Sequence, residues 1–137
     1  MGRVVVHLHG NPSDRNVSSI IENYSDRLKS KVRIQIHKVK LSSSEYLDAL
    51  PDDVILLDES GEILSSIEFA KRFLVWGLSS KETHLAIGPA DGFPKDDHKL
   101  SISLSQMTLP HELAAAVLLE QLYRAFEIER GSGYHRV

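Results

Sequence analysis

The chain contains no cysteine. That removes disulfides, thiolate metal sites and cysteine nucleophiles together, although it says little about compartment. No apolar run is long enough to span a membrane, and the opening residues MGRVVVHLHGNPSD lack the apolar core of a secretory signal. A cytoplasmic protein without a membrane partner is therefore expected. A positive charge balance is missing too: 16 Lys and Arg face 19 Asp and Glu, a formal −3 with seven histidines uncounted. Proteins that grip a long nucleic-acid backbone are usually basic, so any such contact here has to be small, local or shared with another molecule. Nucleotide fingerprints are absent as well. Gly88 and Gly92 do not make G-x-G-x-x-G, and no G-x-x-x-x-G-K-[ST] occurs.

What is present is a regular alternation of strand and helix signals. The 137 residues, 42% hydrophobic and 26% charged, suit one globular domain spanning 1–137 with a core of its own, undivided by repeats or linkers. Arg3 to His9 predicts a strand, with Val4, Val6 and Leu8 on one face and Val5, His7 and His9 on the other. Gly10-Asn11-Pro12-Ser13 closes it. From Asn16, the expected N-cap, Val17, Ile20, Ile21, Tyr24 and Leu28 recur at helical spacing. Val32, Ile34 and Ile36 alternate as a second strand, and Ser42 to Leu50 is a weak short helix. Val54 to Leu57 is a continuous apolar run, the mark of a strand covered on both faces, and Asp58 to Gly61 is expected to turn the chain. Ser65-Ser66-Ile67-Glu68 is a capping box opening a helix to Gly77. Thr83 to Ile87 is the next strand. Two glycines and two prolines make Gly88 to Pro94 a loop.

The end of the chain changes period. Leu100, Ile102 and Leu104 alternate with Ser101, Ser103 and Ser105 as a half-buried strand. After a Gln106-Met107-Thr108 turn, Pro110 is expected at the first helical position, where its missing N–H costs nothing. Ala115, Leu118, Leu119, Leu122 and Phe126 then form a helical stripe, with Leu113 and Val117 as a second apolar edge. Such a helix belongs in a core or an interface, and a two-fold dimer with this helix in the contact is expected. Gly131 and Gly133 end it, leaving Tyr134, His135 and Arg136 as a frayed polar tail.

This order of elements argues for an α/β fold with a mostly parallel sheet and helices on both faces. Ligands of such sheets sit outside the carboxyl ends of the strands. Leu57-Asp58, Gly88-Pro89 and Ser105 to Thr108 lie at those ends, so three loops converge on one rim. On their own, loop glycines read as turns. His7 and His9 share a strand face and could offer a metal two imidazoles, but no third ligand is evident and a structural role is favoured. His37, His84 and His98 read as scattered surface residues. His111 lies in the first helical turn beside the rim, where a neutral imidazole can act as a base or merely be hydrogen-bonded in place. Glu120 and Arg124 at i and i+4 read as a surface ion pair.

The run LSQMTLPHE from Leu104 to Glu112 is followed by LLEQLYRAFEI and a terminal YHR; upstream stand LLDESGEILSSIEFA from Leu56 and AIGPADG from Ala86. In order and spacing these motifs resemble the ribosomal large-subunit pseudouridine N3-methyltransferases, small single-domain members of the SPOUT class. The resemblance covers Val54 to Arg136, and the first 53 residues carry no motif of that family. It implies a C-terminal trefoil knot, which periodicity does not show and which general rules disfavour. It also implies that Leu57, Gly88 and the run Leu104, Ser105, Gln106, Met107, Thr108 and Leu109 hold S-adenosylmethionine. Tyr134, His135 and Arg136 would reach the active site of the partner subunit in a homodimer, with large-subunit ribosomal RNA as substrate.

The chain departs from that family at Pro89, where a second glycine is more usual; the change removes one N–H and fixes one φ. Lys40 to Pro51 is also shorter than the matching segment. These departures keep two other readings open, a non-catalytic ribosome-binding or assembly protein and a methyltransferase for a different RNA. Methyl transfer from a sulfonium needs alignment and dry surroundings. A uracil-type N3 holds its proton at neutral pH, so a base and a fixed cation are wanted. The resemblance offers His135 or His111 as the base, Arg136 as the cation, and Tyr134 to stack on or hydrogen-bond to the substrate ring. No metal is called for.

Overall fold

The computed structural model describes residues 2–95 and 99–136, so His98 lies outside the described residues. In chain order the elements are β1 (Val4–His9), α1 (Arg15–Arg27), β2 (Val32–His37), α2 (Ser43–Ala49), β3 (Ile55–Ile63), α3 (Ser66–Leu78), β4 (Thr83–Ile87), β5 (Leu100–Ser103) and α4 (His111–Glu129). The five strands form one parallel sheet in the order β2-β1-β4-β3-β5. Parallel neighbours need a crossover, and α1, α2 and α3 lie in the connections of β1 to β2, β2 to β3 and β3 to β4.

The period-2 faces decide the layers. Val4, Val6 and Leu8 of β1, with Leu85, Ile87 and Leu57, meet Ile21 of α1, Phe69 and Phe73 of α3, and Leu118, Leu119 and Leu122 of α4. The opposite face is covered by α2 alone, whose Tyr46 and Leu47, together with Leu50, pack on Val54, Leu56 and Ala86. Helices thus lie on both faces, three against one. Each buried leucine contributes roughly 1.5–3 kcal/mol, so α4, with three of them fully covered, is the principal helix of the larger layer. The short α2 persists because Ser42 and Glu45 form a capping box, at 3.1 and 2.8 Å, and because buried Tyr46 donates its hydroxyl to the carbonyl of Ile87 at 2.8 Å.

Local geometry corrects several expectations. Asp14 rather than Asn16 caps α1, its Oδ1 accepting from the amides of Asn16 and Val17 at 2.9 and 3.0 Å. An aspartate two residues earlier reaches the free amides better than a residue already inside the turn. Pro110 is the cap of α4 and His111 its first helical residue, because ψ of 144° at Pro110 is not helical. The turn expected at Asp58 to Gly61 is instead a bulge inside β3. Both Leu57 and Glu62 pair with Ile102, so the intervening residues loop out, held by Asp58 Oδ1 accepting from the Ser60 amide at 3.1 Å. Gly61 is obligatory there, since a Cβ would stand 2.7 Å from the Ser101 backbone. Leu100 is 73% exposed, contrary to the half-buried expectation, because it opens β5, an edge strand among the described residues, whereas Ile102 on the same face is buried.

The histidines also differ from expectation. His7 is buried, and its two ring nitrogens stand 2.8 Å from His37 Nε2 and 2.9 Å from His84 Nδ1. His37 and His84 are therefore partners of His7 across adjacent strands, not scattered surface residues. His9 instead hydrogen-bonds to the carbonyl of Leu41 at 2.8 Å. Among the described residues no group of three His, Asp or Glu is placed to hold a metal ion.

Candidate active site

Beside the bulge of β3 and the carboxyl ends of β4 and β5 the chain forms an open cavity of about 430 Å³. Its walls come from Leu57, Asp58 and Glu59 after the first part of β3, from Ile87 to Phe93 after β4, and from Leu104, Ser105, Met107, Thr108 and Leu109 after β5, with His111 and Ala114 of α4 closing one side. The volume lies in the range of small-molecule sites. Convergence follows from topology, since in a parallel sheet all the carboxyl ends share one rim.

The loop after β4 is held by contacts that need small residues. Gly88 leaves room for Phe93, whose Cδ2 would stand 3.3 Å from a Cβ at that position, and Phe93 stacks on Tyr46 with centroids 5.8 Å apart. The pocket wall is thereby keyed to the α2 layer. Pro89 lacks an amide, yet its carbonyl accepts from the Gly92 amide at 2.8 Å, and Gly92 takes the left-handed φ of 81° that the turn requires. Across the cavity, Thr108 Oγ1 donates to Glu59 Oε2 at 2.6 Å, tying the β5 loop to the β3 bulge. Asp91 accepts from Ser43 Oγ at 2.7 Å, and that hydrogen bond holds its carboxyl below the usual range.

Asp58, Glu59 and Asp91 put three carboxylates on the walls, and among the described residues no Lys or Arg lines them. Such a field suits a ligand that carries positive charge or hydroxyl donors. His111 stands at the helix N-terminus beside it. Its neighbour Glu112 accepts from the amides of Ser13 and Asp14, each at 3.0 Å, and from Ser13 Oγ at 2.8 Å. The Asp14 amide first, then the Ser13 groups, hold the Glu112 carboxyl below its ordinary range. The loop after β1 is thus clamped to the start of α4.

The tail is moored, not frayed. Tyr134 donates its hydroxyl to Glu120 Oε2 at 2.8 Å and sets its ring edge-on to Tyr123 at 4.9 Å. Arg124 donates to Glu120 Oε2 at 2.9 Å and to His135 Nδ1 at 3.0 Å. The Glu120–Arg124 pair is therefore the anchor of the tail as well as a helix-surface ion pair. Arg136 is exposed. The cavity brings together Leu57, Gly88, Leu104, Ser105, Met107, Thr108, Leu109 and His111; Gln106 is exposed and does not line it. Tyr134 and His135 do not line it either, because Arg124 lies roughly 20 Å beyond His111 along α4 at 1.5 Å per residue.

The family model described as "Predicted SPOUT methyltransferase" matches residues 3–135. The chain belongs to this family. Three relatives, each named "Ribosomal RNA large subunit methyltransferase H", bear on it. The one from Cereibacter sphaeroides is 48% identical over 87 residues, covering 61% of this chain and 56% of that protein. The one from Nitrosomonas eutropha is 34% identical over 132 residues, covering 82% and 85%, and the one from Thermus thermophilus is 34% identical over 119 residues, covering 85% of each. The chain thus spans little more than half of the Cereibacter relative in that match, and most of the other two.

As a SPOUT methyltransferase the chain is more uniformly related than its motifs imply, since the family match begins at residue 3 and not at Val54. Glu59, Asp91, Phe93 and Glu112 are site features that sequence reasoning missed. Glu112 had a signal, an acidic residue in the first turn of a helix. The other three depend on which loops meet, which no local pattern reveals.

Proposed function

We propose that this SPOUT methyltransferase transfers a methyl group from S-adenosylmethionine to N3 of a pseudouridine in large-subunit ribosomal RNA, on the assembled ribosome. It would act in the cytoplasm as a single-domain homodimer, its C-terminal segment threaded as a trefoil knot around the cofactor pocket. The observation that carries this reading is the separation of the two halves of the machinery. All but Gln106 of the positions proposed for the cofactor line the cavity, and the tail carrying Tyr134 and His135 is moored roughly 20 Å away along α4. A two-fold dimer with α4 in the contact would bring the tail of one chain to the cavity of the other.

The residues present suit the cofactor. The cavity volume, the glycine at Gly88 and the carboxylates of Asp58, Glu59 and Asp91 match a small ligand with a cationic centre and ribose hydroxyls. Leu57, Gly88 and the Leu104 to Leu109 loop would hold it, and when bound it supplies the methyl group. The chain's own part is to exclude water, orient the substrate ring and manage the charge left when N3 loses its proton. Arg136 would offset that charge, with His111 at the cavity wall. Calorimetry with S-adenosylmethionine, followed by labelled methyl transfer to ribosomal particles, tests the reading. No heat and no thermal shift at millimolar cofactor would replace it with a non-catalytic ribosome-binding role, for which Pro89 is the best argument. Methylation of some other RNA would move the substrate alone, and a monomer mass by light scattering would remove the composite site.

A further inference from the structure

A guanidinium carries five donors and no acceptor, so the 3.0 Å contact from Arg124 Nη1 to His135 Nδ1 has one polarity. Nδ1 must accept with its lone pair, which leaves the single ring proton on Nε2. Arg124 is itself fixed, with Nη2 donating to Glu120 Oε2 at 2.9 Å and the guanidinium carbon 5.0 Å from the centre of the Tyr134 ring. The Tyr134 hydroxyl has spent its only proton on the same carboxylate oxygen at 2.8 Å. Burial, and then its hydrogen bonding with Tyr24 and Glu120, raises its pKa above the ordinary value, so the phenol stays a donor to Glu120. The network is thus a chain of assigned donors that ends on the imidazole N–H of His135.

We infer that Arg124 is a positioning residue which holds His135 as the Nε2–H tautomer, so that His135 donates a hydrogen bond to a carbonyl of the substrate base and does not take its N3 proton. The inference rests on the function proposed above. Loss of the N3 proton spreads negative charge onto the two flanking carbonyl oxygens, and a fixed N–H aimed at one of them stabilises that charge as an oxyanion donor does. A base at the same position would need a free lone pair, and both nitrogens of His135 are already committed. The N3 proton instead passes to the His111 that lines the cavity. His135 and His111 thereby take opposite duties, and Arg124 fixes that of His135.

Histidine-selective nitrogen-15 NMR of the cofactor-free and RNA-free protein reads the tautomer directly. Wild type gives one neutral Nε2–H pattern for His135, assigned by its disappearance in His135→Gln. Arg124→Met loses that pattern, while Arg124→Lys, which keeps a charged donor, restores it in part; thermal melts confirm that both fold. In turnover, His135→Gln keeps an amide donor and no base, so kcat stays within about tenfold of wild type, whereas His135→Phe loses about 10²–10³-fold, the size of one oxyanion donor. An Nδ1–H pattern in wild type, or equal loss in the Gln and Phe variants, overturns the inference. The NMR result needs neither cofactor nor RNA, so a failure of the methyltransferase reading is distinguishable from a failure of this one.

Discussion

His7 Nδ1 stands 2.8 Å from His37 Nε2, and this contact joins β1 to the edge strand β2. The other nitrogen of the same ring meets His84 Nδ1 at 2.9 Å, so a buried imidazole is gripped on both sides by imidazoles. A neutral His7 has one donor and one acceptor and satisfies both neighbours; a charged one has two donors and needs both neighbours to accept. Burial above all, then the charges of His37, His84 and Arg33, lowers the His7 pKa from 6.5 to about 4. His37 is lowered as well, by its own burial and then by His9. Tyr46 of α2 covers His37 edge-on and stays neutral, burial raising its pKa.

The pH dependence follows from the sign of that shift. Above pH 6.5 His7 is neutral in both folded and unfolded chains and contributes nothing. As pH falls below 6.5 the unfolded chain binds the proton and the folded one does not, so stability is lost until the folded group also titrates near pH 4. At about 1.4 kcal/mol per pH unit, and with water reaching the half-exposed His37 and His84, the loss is roughly 2 kcal/mol. His7→Phe should flatten the urea midpoint between pH 6.5 and 4. An unchanged slope in that variant would assign the acid sensitivity to other groups.

Gly61→Ala tests the bulge in β3. A Cβ there meets Ser101 and Ile102 backbone atoms at 2.7 to 2.9 Å, and backbone cannot rotate aside as a side chain would. The β3–β5 pairing must open, at a cost of about 2–3 kcal/mol, and the Leu104 to Leu109 loop moves with it. Calorimetry should show cofactor affinity falling together with the denaturation midpoint. Loss of stability with full affinity would separate the bulge from the pocket.

Glu112→Ala tests the clamp between the β1 loop and α4. It removes the acceptor for two amides and one hydroxyl, and losses of this capping kind cost about 1 kcal/mol. Because its folded pKa is depressed, the Glu112 contribution is present above the unfolded carboxylate pKa and disappears as pH falls through the lower folded value. Wild type and variant should therefore converge in stability at acid pH. A gap that persists there would mean that packing, not charge, supplies the effect.

Legibility in the sequence tracks the range of the contact. β4 was readable residue for residue as Thr83 to Ile87, and the Ser65–Glu68 capping box marked the start of α3, because turn chemistry beside the segment sets those boundaries. The cap of α1 slipped by two residues because Asp14 and Asn16 are both good caps, and only the path of the loop chooses. The three-histidine contact spans 30 and 77 residues, so nothing short of the order β2-β1-β4 brings those rings together. The mooring of Tyr134 and His135 was invisible for the same reason: Glu120 and Arg124 look like an ordinary i, i+4 pair until the chain turns back at Gly131, whose φ is 72°.

The proposed composite site is tested by mixing two defective subunits. Arg136→Ala leaves the cavity whole and removes the exposed cation of the tail, which contributes little to the core, so folding, dimerisation and cofactor affinity stay near wild type while kcat falls. Gly88→Val forces branched atoms into the space held by Phe93 and blocks the cavity, yet leaves the tail whole. Each variant alone should be inactive. In a heterodimer with the tail crossing between subunits, the Arg136→Ala chain has an open cavity and receives its arginine from the Gly88→Val chain, so one of two sites works. Activity should return to at most about half of wild type, in proportion to the heterodimer measured by native mass spectrometry. If subunit exchange is complete and activity stays at the level of the parent variants, the tail serves its own chain, and the roughly 20 Å between its mooring and the cavity must be closed by movement within one subunit.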